Sequence, residues 1–490
     1  MTTTPAEARP SRTGMDPEVT RTAWTVLVGG LAVLFDTTIV AVAIRTLATD
    51  LHVGLTTIQW VSTAYLLALG VAVPLVGWAQ RVLGAKRLWM TALAIFLLGS
   101  VLCSLAWSAA SLIAFRVVQG LGGGILMPLM MTIIMQAARG QNLGRMAVII
   151  GLPVALGPII GPVIGGLILQ NLHWSWLFWV NVPFCVAGLV LARRFLAPDG
   201  PVQRVRLDVV GLALLAPGLV GVLYGLSNVS RDGGFTRTDV WAPAAAGLVL
   251  VAAFCLWAVP RGRAALVNVR LLAHRPLATS SVLMGLSGFG LFGAMFLLPL
   301  YFQGVRGHDV LGAGLLLVPQ GVGALASRVA LGRVIDKVGP RWITLTSFAM
   351  VALATVPFAL AGAATSQAWL MVVLFFRGLG LGSAIIPLMA HAFAGLAHDD
   401  VPDASIVSRL IQQLGGSFGT AVLATVLASA TAGAGTVADM ADGFDQAFWV
   451  AVAFTMLAVA LSFLLPAEPP GRQQTAAQGA RAPEGAAANG

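Results

Sequence analysis

Charged residues are scarce in this chain. Of its 490 residues only 10% are Asp, Glu, Lys or Arg, whereas a soluble globular domain has about 25%. Hydrophobic residues account for 58%, and the mean hydropathy is +0.88. This composition excludes a soluble domain and predicts an integral membrane protein whose surroundings are the lipid bilayer.

Other absences exclude further classes of protein. The three cysteines (Cys103, Cys185 and Cys255) lie inside apolar runs without ligand spacing, so neither a disulfide framework nor a metal site is predicted. No phosphate-binding G-x-x-x-x-G-K-[ST] motif occurs, so we do not expect ATP to drive the protein directly. The net charge is +10, but no basic stretch of the chain is interleaved with aromatic residues, so no nucleic-acid partner is predicted. No apolar segment with a cleavage site precedes residue 22, and we expect no cleaved signal peptide.

Long apolar runs are what the chain has in abundance. Fourteen are long enough to cross a bilayer as helices, which takes roughly 20 residues. They lie near residues 22–44, 58–79, 88–107, 111–137, 145–169, 174–194, 207–228, 240–259, 277–303, 311–331, 342–363, 368–394, 404–431 and 445–465. The sequence therefore predicts an all-α integral membrane protein with 14 transmembrane helices.

The basic residues indicate the orientation of these spans. With the N-terminus in the cytoplasm, 22 of the 29 Lys and Arg residues fall on the cytoplasmic side, and four fall outside. The remaining three, Arg116, Arg377 and Arg409, fall within spans. Because cytoplasmic loops carry the excess of positive charge, we predict a multi-pass cell-membrane protein with both termini in the cytoplasm.

The chain also repeats itself. GWAQRVLGAKR at 77–87 resembles GRVIDKVGPR at 332–341, and FRVVQGLGGGILMP at 115–128 resembles FRGLGLGSAIIP at 376–387. Internal repeats with a site at their interface are typical of transporters. We therefore predict a disordered cytoplasmic N-terminus (1–20), an N-terminal six-helix bundle (21–196), two inserted transmembrane helices with their loops (197–264), a C-terminal six-helix bundle (265–466) and a disordered cytoplasmic tail (467–490).

One apolar run combines glycine and proline in an unusual way. Between residues 145 and 170 these residues are Gly151, Pro153, Gly157, Pro158, Gly161, Pro162, Gly165 and Gly166. Gly157, Gly161 and Gly165 are four residues apart and fall on one face of a helix. A face without side chains lets another helix approach closely in lipid. This face is either a static packing seam or a seam on which two bundles rock.

Several motifs occur in order along the chain. A loop motif G-x-L-a-D-r-x-G-r-k is matched at Gly77, Gly84 and Lys86 and again at Gly332, Asp336, Gly339 and Arg341. A fourth-span motif R-x-x-Q-G-x-G is matched at Arg116, Gln119, Gly120 and Gly122, and a fifth-span motif G-P-x-x-G at Gly157, Pro158 and Gly161. The first-span motif D-x-T-I-V-x-V-A begins at Asp36. Over about residues 20–465 the chain resembles the major facilitator superfamily, in particular its fourteen-span drug–proton antiporter branch.

The resemblance implies a fold and an activity. The fold is the major facilitator fold, two six-helix bundles plus two extra central transmembrane helices, 14 in total. The activity is proton-coupled export of lipophilic drugs by alternating access. Two departures matter: Arg81 stands where the loop motif has an aspartate that latches the loop, and Ala41 and Arg45 stand where the first-span motif often has Asn and Pro.

Asp36 is the most informative single residue. It lies near the middle of a span, and no other charge occurs within eight residues of it. A carboxyl group at that depth costs several kcal/mol unless it is paired or protonated. We predict that Asp36 takes up a proton when open to the outside and releases it inside, with Arg116 and Gln119 modulating that step. The structural alternatives are an acid satisfied by neighbouring hydroxyl groups and an arginine capping polar backbone at a glycine-rich bend.

A bound lipophilic cation would compete with the proton for Asp36 and so couple the two opposite flows. No cofactor is expected beyond protons as the coupling ion. The substrate wall should be apolar and aromatic. The candidates for it are Trp60, Tyr65, Phe289, Phe292, Phe296, Tyr301 and Phe302.

Three other functions were weighed against drug export. An enzyme would need a clustered nucleophile, acid pair or metal set, and the sequence shows none. A non-transporting polytopic protein would need neither charges in mid-span nor two matched halves. A proton-coupled importer or exporter of a specific metabolite remains the alternative within transporters. We expect a monomer with a small lipophilic substrate, and a periplasmic adaptor only where an outer membrane exists.

Overall fold

A computed structural model shows a helical protein. It describes residues 17–58, 60–138, 161, 164–200, 205–228, 237–334, 338–361, 365–397, 400–431 and 435–467, and no strand occurs in these ranges. The helices are α1 (Pro17–Val42), α2 (Ile44–Asp50), α3 (Leu55–Ile58), α4 (Trp60–Ala72), α5 (Leu75–Leu83), α6 (Ala85–Ser104), α7 (Ala109–Ala138), α8 (164–171), α9 (Trp176–Trp179), α10 (Asn181–Phe195), α11 (Val209–Ser227), α12 (Thr238–Ala258), α13 (Arg275–Gly304), α14 (Val310–Leu316), α15 (Val318–Val334), α16 (Pro340–Thr355), α17 (Gln367–Ala392), α18 (Val401–Ala430) and α19 (Val437–Ser462).

These helices agree with the predicted spans, but fewer than 14 spanning helices are found in the described ranges. In the described ranges 11 helices are long and apolar enough to cross a membrane, or 12 if α4 and α5 form one bent span. α4 and α5 meet at 57°, at a break that contains Pro74, which has no backbone N–H to donate. The tenth predicted span is divided between α14 and α15, and most of the fifth lies outside the described residues.

The helices pack in two groups that follow the internal repeat. The first group contains α1, α4, α6, α7 and α10, and the second contains α13 and α15 to α19. α11 and α12 pack on each other, and α11 also contacts α4 of the first group and α18 of the second. Trp60 of α4 stacks on Tyr224 of α11 with 5.5 Å between ring centroids. The inserted pair therefore lies beside the junction of the two groups.

The two groups meet closely where α5 ends and α18 begins, which is the predicted cytoplasmic end. A Cβ on Gly77 would lie 2.9 Å from Oδ1 of Asp403, so the absence of a side chain allows this approach. Arg81 donates a hydrogen bond to the carbonyl oxygen of Arg263 (3.3 Å). Arg263 in turn forms a bidentate ion pair with Asp400, at 2.9 Å for both hydrogen bonds. The described parts of the two groups are therefore in contact at this end, and the loop after α12 takes part in that contact.

Candidate functional site

A buried polar network surrounds Asp36 in the first group of helices. The Asp36 side chain is 0% exposed and that of Arg116 is 1% exposed. Nη1 of Arg116 lies 2.6 Å from Oδ2 of Asp36. The other carboxylate oxygen accepts hydrogen bonds from the amide nitrogens of Gln119 (2.9 Å) and Asn181 (3.0 Å). Three helices, α1, α7 and α10, thus converge on one carboxyl group.

Further partners fix the orientation of these side chains. The Gln119 oxygen accepts a hydrogen bond from Arg116 (2.7 Å), so its nitrogen is turned towards Asp36. Ser100 of α6 accepts hydrogen bonds from both amides, at 3.2 Å from Gln119 and 3.0 Å from Asn181. Nε of Arg116 donates to the Val61 carbonyl oxygen (3.1 Å). The network therefore ties together five helices of the first group.

Glycines in α7 allow the neighbouring helices to come close enough for these contacts. A Cβ on Gly120 would lie 2.6 Å from the Tyr65 carbonyl oxygen, and one on Gly122 would lie 2.6 Å from the Phe96 nitrogen. α4 and α6 consequently pack directly on the α7 backbone. The close approach places the Tyr65 ring 3.8 Å from the guanidinium carbon of Arg116, a cation–π contact. The glycines of the fourth-span motif thus support the arginine of the same motif.

The hydrogen bonds around Asp36 match those that a carboxylate accepts. All three side chains that bond to Asp36 donate to it, which is what a carboxylate accepts. A proton placed on Asp36 would neutralise the carboxylate and leave the guanidinium of Arg116 without its counter-ion. At least one donor would then have to move, because a protonated oxygen no longer accepts its hydrogen bond in the same way. The charge of Asp36 is therefore linked to the packing of α1 against α7 and α10.

The structure brings together the three residues predicted to couple protons and adds two more. Asn181 and Ser100 were not among the predicted site residues. Asn181 lies in WSWLFWVNVP, and a polar amide inside that apolar run was the signal that could have identified it. Ser100 gave no such signal, since a hydroxyl in a membrane helix can bond its own backbone. Tyr65, predicted as substrate wall, lies under Arg116 and is 1% exposed.

The described part of the glycine–proline seam packs against α1. A Cβ on Gly161 would overlap the Thr38 hydroxyl, and one on Gly165 would lie 3.3 Å from the Ile39 carbonyl oxygen. A Cβ on Gly166 would meet no atom within 4 Å. The other predicted members of the seam, Gly151, Gly157, Pro158 and Pro162, lie outside the described residues. The seam therefore contacts the helix that carries Asp36, and the contact begins at Thr38, two residues after Asp36.

Replacing Gly161 by Ala should test this contact. Alanine favours a helix over glycine by about 1 kcal/mol, but its Cβ at this position would displace Thr38, and overpacking of this kind costs about 1–3 kcal/mol. We expect Gly161→Ala to lower the thermal stability of the purified protein and its rate of export. Gly166→Ala, which enters open space, is the control and should leave stability equal or slightly raised. Equal stability of the two variants would contradict the close packing of Gly161 on α1.

The predicted gating loops have matching geometry in the two halves. Nζ of Lys86 donates to the carbonyl oxygens of Arg193 (3.0 Å) and Leu196 (2.7 Å), at the end of α10. In the second half Nε of Arg341 donates to the Leu465 carbonyl oxygen (2.6 Å), just after α19. A cation at the C-terminal end of a helix satisfies free carbonyl groups and the helix dipole. In each half this basic residue therefore fastens the start of one helix to the end of another.

Gly84 has a further constraint. Its φ is +85°, and a Cβ there would overlap the Asp199 side chain. Asp199 accepts hydrogen bonds from the backbone nitrogens of Lys86 (2.8 Å) and Arg87 (3.1 Å), at the start of α6. Gly339 precedes α16 with a φ of −64°, which needs no glycine. Asp336 and the surroundings of Gly332 lie outside what the structure describes.

The aromatic candidates for the substrate wall have different surroundings. Phe289 is buried and stacks on Phe454 with 4.1 Å between ring centroids. Tyr301 is fully buried and donates its hydroxyl to the Ala361 carbonyl oxygen (3.1 Å). Phe302, likewise fully buried, packs edge-on against the Tyr301 ring. The remaining candidates, Trp60, Phe292 and Phe296, are partly buried. Contact of any of these side chains with substrate stays a prediction.

Comparison with known proteins supports the same fold. The chain matches the Major Facilitator Superfamily over residues 26–420. It is 36% identical over 415 residues to "Multidrug resistance protein B homolog" of Mycobacterium tuberculosis (strain ATCC 25618 / H37Rv). The matched region covers 84% of this chain and 77% of that protein. It is 28% identical over 405 residues to "Lincomycin resistance protein LmrB" of Bacillus subtilis (strain 168), covering 82% and 84%.

A solved structure has the same architecture. The human organic anion transporter MFSD10 (TETRAN) superimposes with a TM-score of 0.63 at 17% sequence identity, covering 91% of this chain and all of that one. At this identity the likeness concerns the fold alone. Members of the matched family are membrane transporters and not enzymes. The chain therefore belongs to the major facilitator superfamily, as a multi-pass membrane transporter.

Proposed function

We propose that the protein is a proton-coupled antiporter that exports lipophilic drugs, cationic ones among them, by alternating access. The observation that carries the proposal is the fully buried Asp36, bonded to Arg116, Gln119 and Asn181 inside the first group of helices. Two similar proteins are named for multidrug resistance and lincomycin resistance, which supports drugs as the substrates.

In this mechanism the proton is exchanged at Asp36. Uptake from the outside neutralises the carboxylate and releases Arg116 and the two amides from it. The contacts of α1 with α7 and α10 then loosen, and the two groups of helices tilt until the inner end opens. A cationic drug arriving from the cytoplasm replaces the proton as the positive partner of Asp36. One carboxyl group thereby serves both flows, so neither proton nor drug moves alone.

The contacts at the predicted cytoplasmic end support a conformation that is closed on that side. Gly77 of α5 packs on Asp403 of α18, and the Arg263–Asp400 ion pair holds the loop after α12 to α18. Since this is the predicted cytoplasmic end and Asp36 is 0% exposed, the conformation corresponds to a step in which Asp36 is shut off from the cytoplasm. Opening of the inner end requires these contacts to separate. The Arg263–Asp400 ion pair, whose arginine is exposed, stabilises this contact by at most about 1 kcal/mol, so it does not prevent the inner end from opening.

The remaining features of the proposal concern organisation. Residues 21–196 and 265–466 are the two six-helix bundles, and residues 197–264 carry the inserted pair. Both termini lie in the cytoplasm, and the protein resides in the cell membrane. It works as a monomer and engages a periplasmic adaptor only in a cell that has an outer membrane.

Transport by purified protein in vesicles tests the proposal. Proteoliposomes containing a fluorescent lipophilic cation dye are placed in a pH gradient, with the acid side corresponding to the cell exterior. We expect dye to move towards the acid side, and its direction of movement to reverse when the gradient is reversed. When an uncoupler is added, the rate of dye movement should fall to that of protein-free vesicles. Dye movement that is unaffected by the uncoupler would contradict proton coupling. Absence of movement across a broad panel of dyes and antibiotics would contradict drug export.

A further inference from the structure

A second arginine is buried in the membrane-spanning part of the second group of helices. Arg377 lies on α17, is 3% exposed, and occupies in FRGLGLG the place that Arg116 occupies in FRVVQGLG. Its guanidinium donates hydrogen bonds to three neighbouring helices. The acceptors are Oγ1 of Thr355 (3.2 Å), the side-chain oxygen of Gln320 (3.0 Å) and the carbonyl oxygen of Gly290 (3.2 Å).

The two arginines differ in what balances their charge. Arg116 pairs with Asp36, whereas the three acceptors of Arg377 are uncharged, and no ion pair to Arg377 is found among the described residues. α13, the helix that supplies one of these acceptors, has no charged residue between Arg275 and Arg306. Arginine cannot release its proton in a protein, and an unbalanced charge at this depth costs several kcal/mol. A counter-ion would therefore stabilise this half of the protein.

Among the described residues, nothing packs against the Cβ position of Gly290. A Cβ on Gly290 would meet no atom within 4 Å, although this residue lies in the middle of α13. Cβ atoms on Gly285, Gly288 and Gly293 would each meet atoms of α18. Gly290 is therefore off the face of α13 that packs on α18. Open space lies beside it, and its carbonyl group is already bonded to the Arg377 guanidinium.

We propose that Arg377, Gln320 and the space beside Gly290 form a binding site for the anionic group, a carboxylate or sulfonate, of a lipophilic substrate. The guanidinium has five N–H donors in a plane, of which three bond to neutral acceptors. A planar carboxylate or sulfonate accepts two parallel hydrogen bonds from such a group, and charge makes each of them stronger than a neutral one. Gln320, bonded to the same guanidinium, keeps it oriented.

The depth of the site selects the kind of anion. Arg377 lies ten residues inside α17, which is about 15 Å along the helix axis. A phospholipid headgroup at the end of the helix does not reach that level. The inference rests on the proposed export of lipophilic molecules and adds their charge: acids belong to the substrates beside the cations expected at Asp36.

Equilibrium binding of three matched probes tests the site. The probes share a naphthalene ring: 2-naphthoate, its uncharged methyl ester and the 2-naphthylmethylammonium cation. They are titrated, without any gradient, against the purified full-length protein in lipid nanodiscs. The wild-type protein should bind naphthoate about 10- to 100-fold more tightly than the ester, the range expected for a hydrogen-bonded charge. Equal or tighter binding of the ester would overturn the proposal.

Variants assign the preference to particular residues. Arg377→Gln should lose the preference for naphthoate, and Arg377→Lys should keep part of it because a point charge remains. Gly290→Leu fills the open space and should weaken naphthoate binding without altering the guanidinium. Arg306→Gln removes a positive charge just beyond α13 and is the control that should retain the preference. Naphthoate selectivity that survives in both Arg377→Gln and Gly290→Leu would overturn the assignment to this site.

The readout separates this inference from the proposed function. If Arg377→Gln does not fold, the wild-type comparison and Gly290→Leu still decide, since a side chain at residue 290 meets open space. Selective naphthoate binding by a protein that shows no gradient-driven dye movement would contradict proton-coupled export alone. Gradient-driven dye movement by a protein without naphthoate preference would contradict the anion site alone.

Discussion

Asp36→Asn is expected to abolish export driven by a pH gradient while substrate binding persists. Asparagine has nearly the same shape as aspartate but cannot take up or release a proton, so the coupling step is lost. In proteoliposomes, dye movement in the gradient should fall to the rate of protein-free vesicles. Binding of the same dye should weaken but persist, because the substitution removes the charged partner proposed for a cationic substrate and leaves the rest of the site unchanged.

Two matched variants make this result specific. Asp36→Glu keeps a titratable carboxyl group and should retain gradient dependence at a reduced rate, since the added methylene must fit a site without free volume. Asp50→Asn removes an exposed acid at the end of α2 and should leave transport unchanged. Undiminished gradient-driven export by Asp36→Asn would remove Asp36 from the mechanism.

Arg116→Met is expected to destabilise the protein by about 3–5 kcal/mol, the usual cost of leaving one member of a buried ion pair alone. Methionine fills much of the volume of the arginine side chain but supplies no charge to Asp36. The loss should be measured by reversible denaturation in mixed micelles.

The double variant Asp36→Asn/Arg116→Met completes a thermodynamic cycle. Neither charge then remains, so its destabilisation should be smaller than the sum of the two single losses. Residues in direct contact typically show interaction energies of about 0.5–3 kcal/mol. Strict additivity of the two substitutions would contradict the ion pair as the source of the stability difference.

The buried pair was predictable from the sequence because charge in a membrane is expensive. Asp36 and Arg116 are both mid-span charges of opposite sign, and pairing is the least costly way to accommodate them. Asn181 and Ser100 were not predicted because they are uncharged. Uncharged polar groups cost less in an apolar helix and can bond locally, so their presence implies no particular partner.

The glycine–proline seam shows where pattern reasoning ends. The four-residue spacing of Gly157, Gly161 and Gly165 predicts a face for close helix contact, but it does not name the helix that occupies it. The structure places α1 there, with Thr38 and Ile39 against the described glycines. A packing partner depends on where distant parts of the chain meet, and spacing within one helix carries no such information.

The sequence by itself determined that the chain is a helical membrane transporter built from two related halves. Composition, apolar run length and repeated motifs suffice for this, because lipid imposes the same requirements on every spanning segment. Only the tertiary structure decided which helices surround Asp36, where the two groups of helices touch, and that none of the described acids pairs with Arg377 as Asp36 pairs with Arg116. These depend on contacts between different helices, through hydrogen bonds of about 3 Å whose geometry is not determined within any one helix.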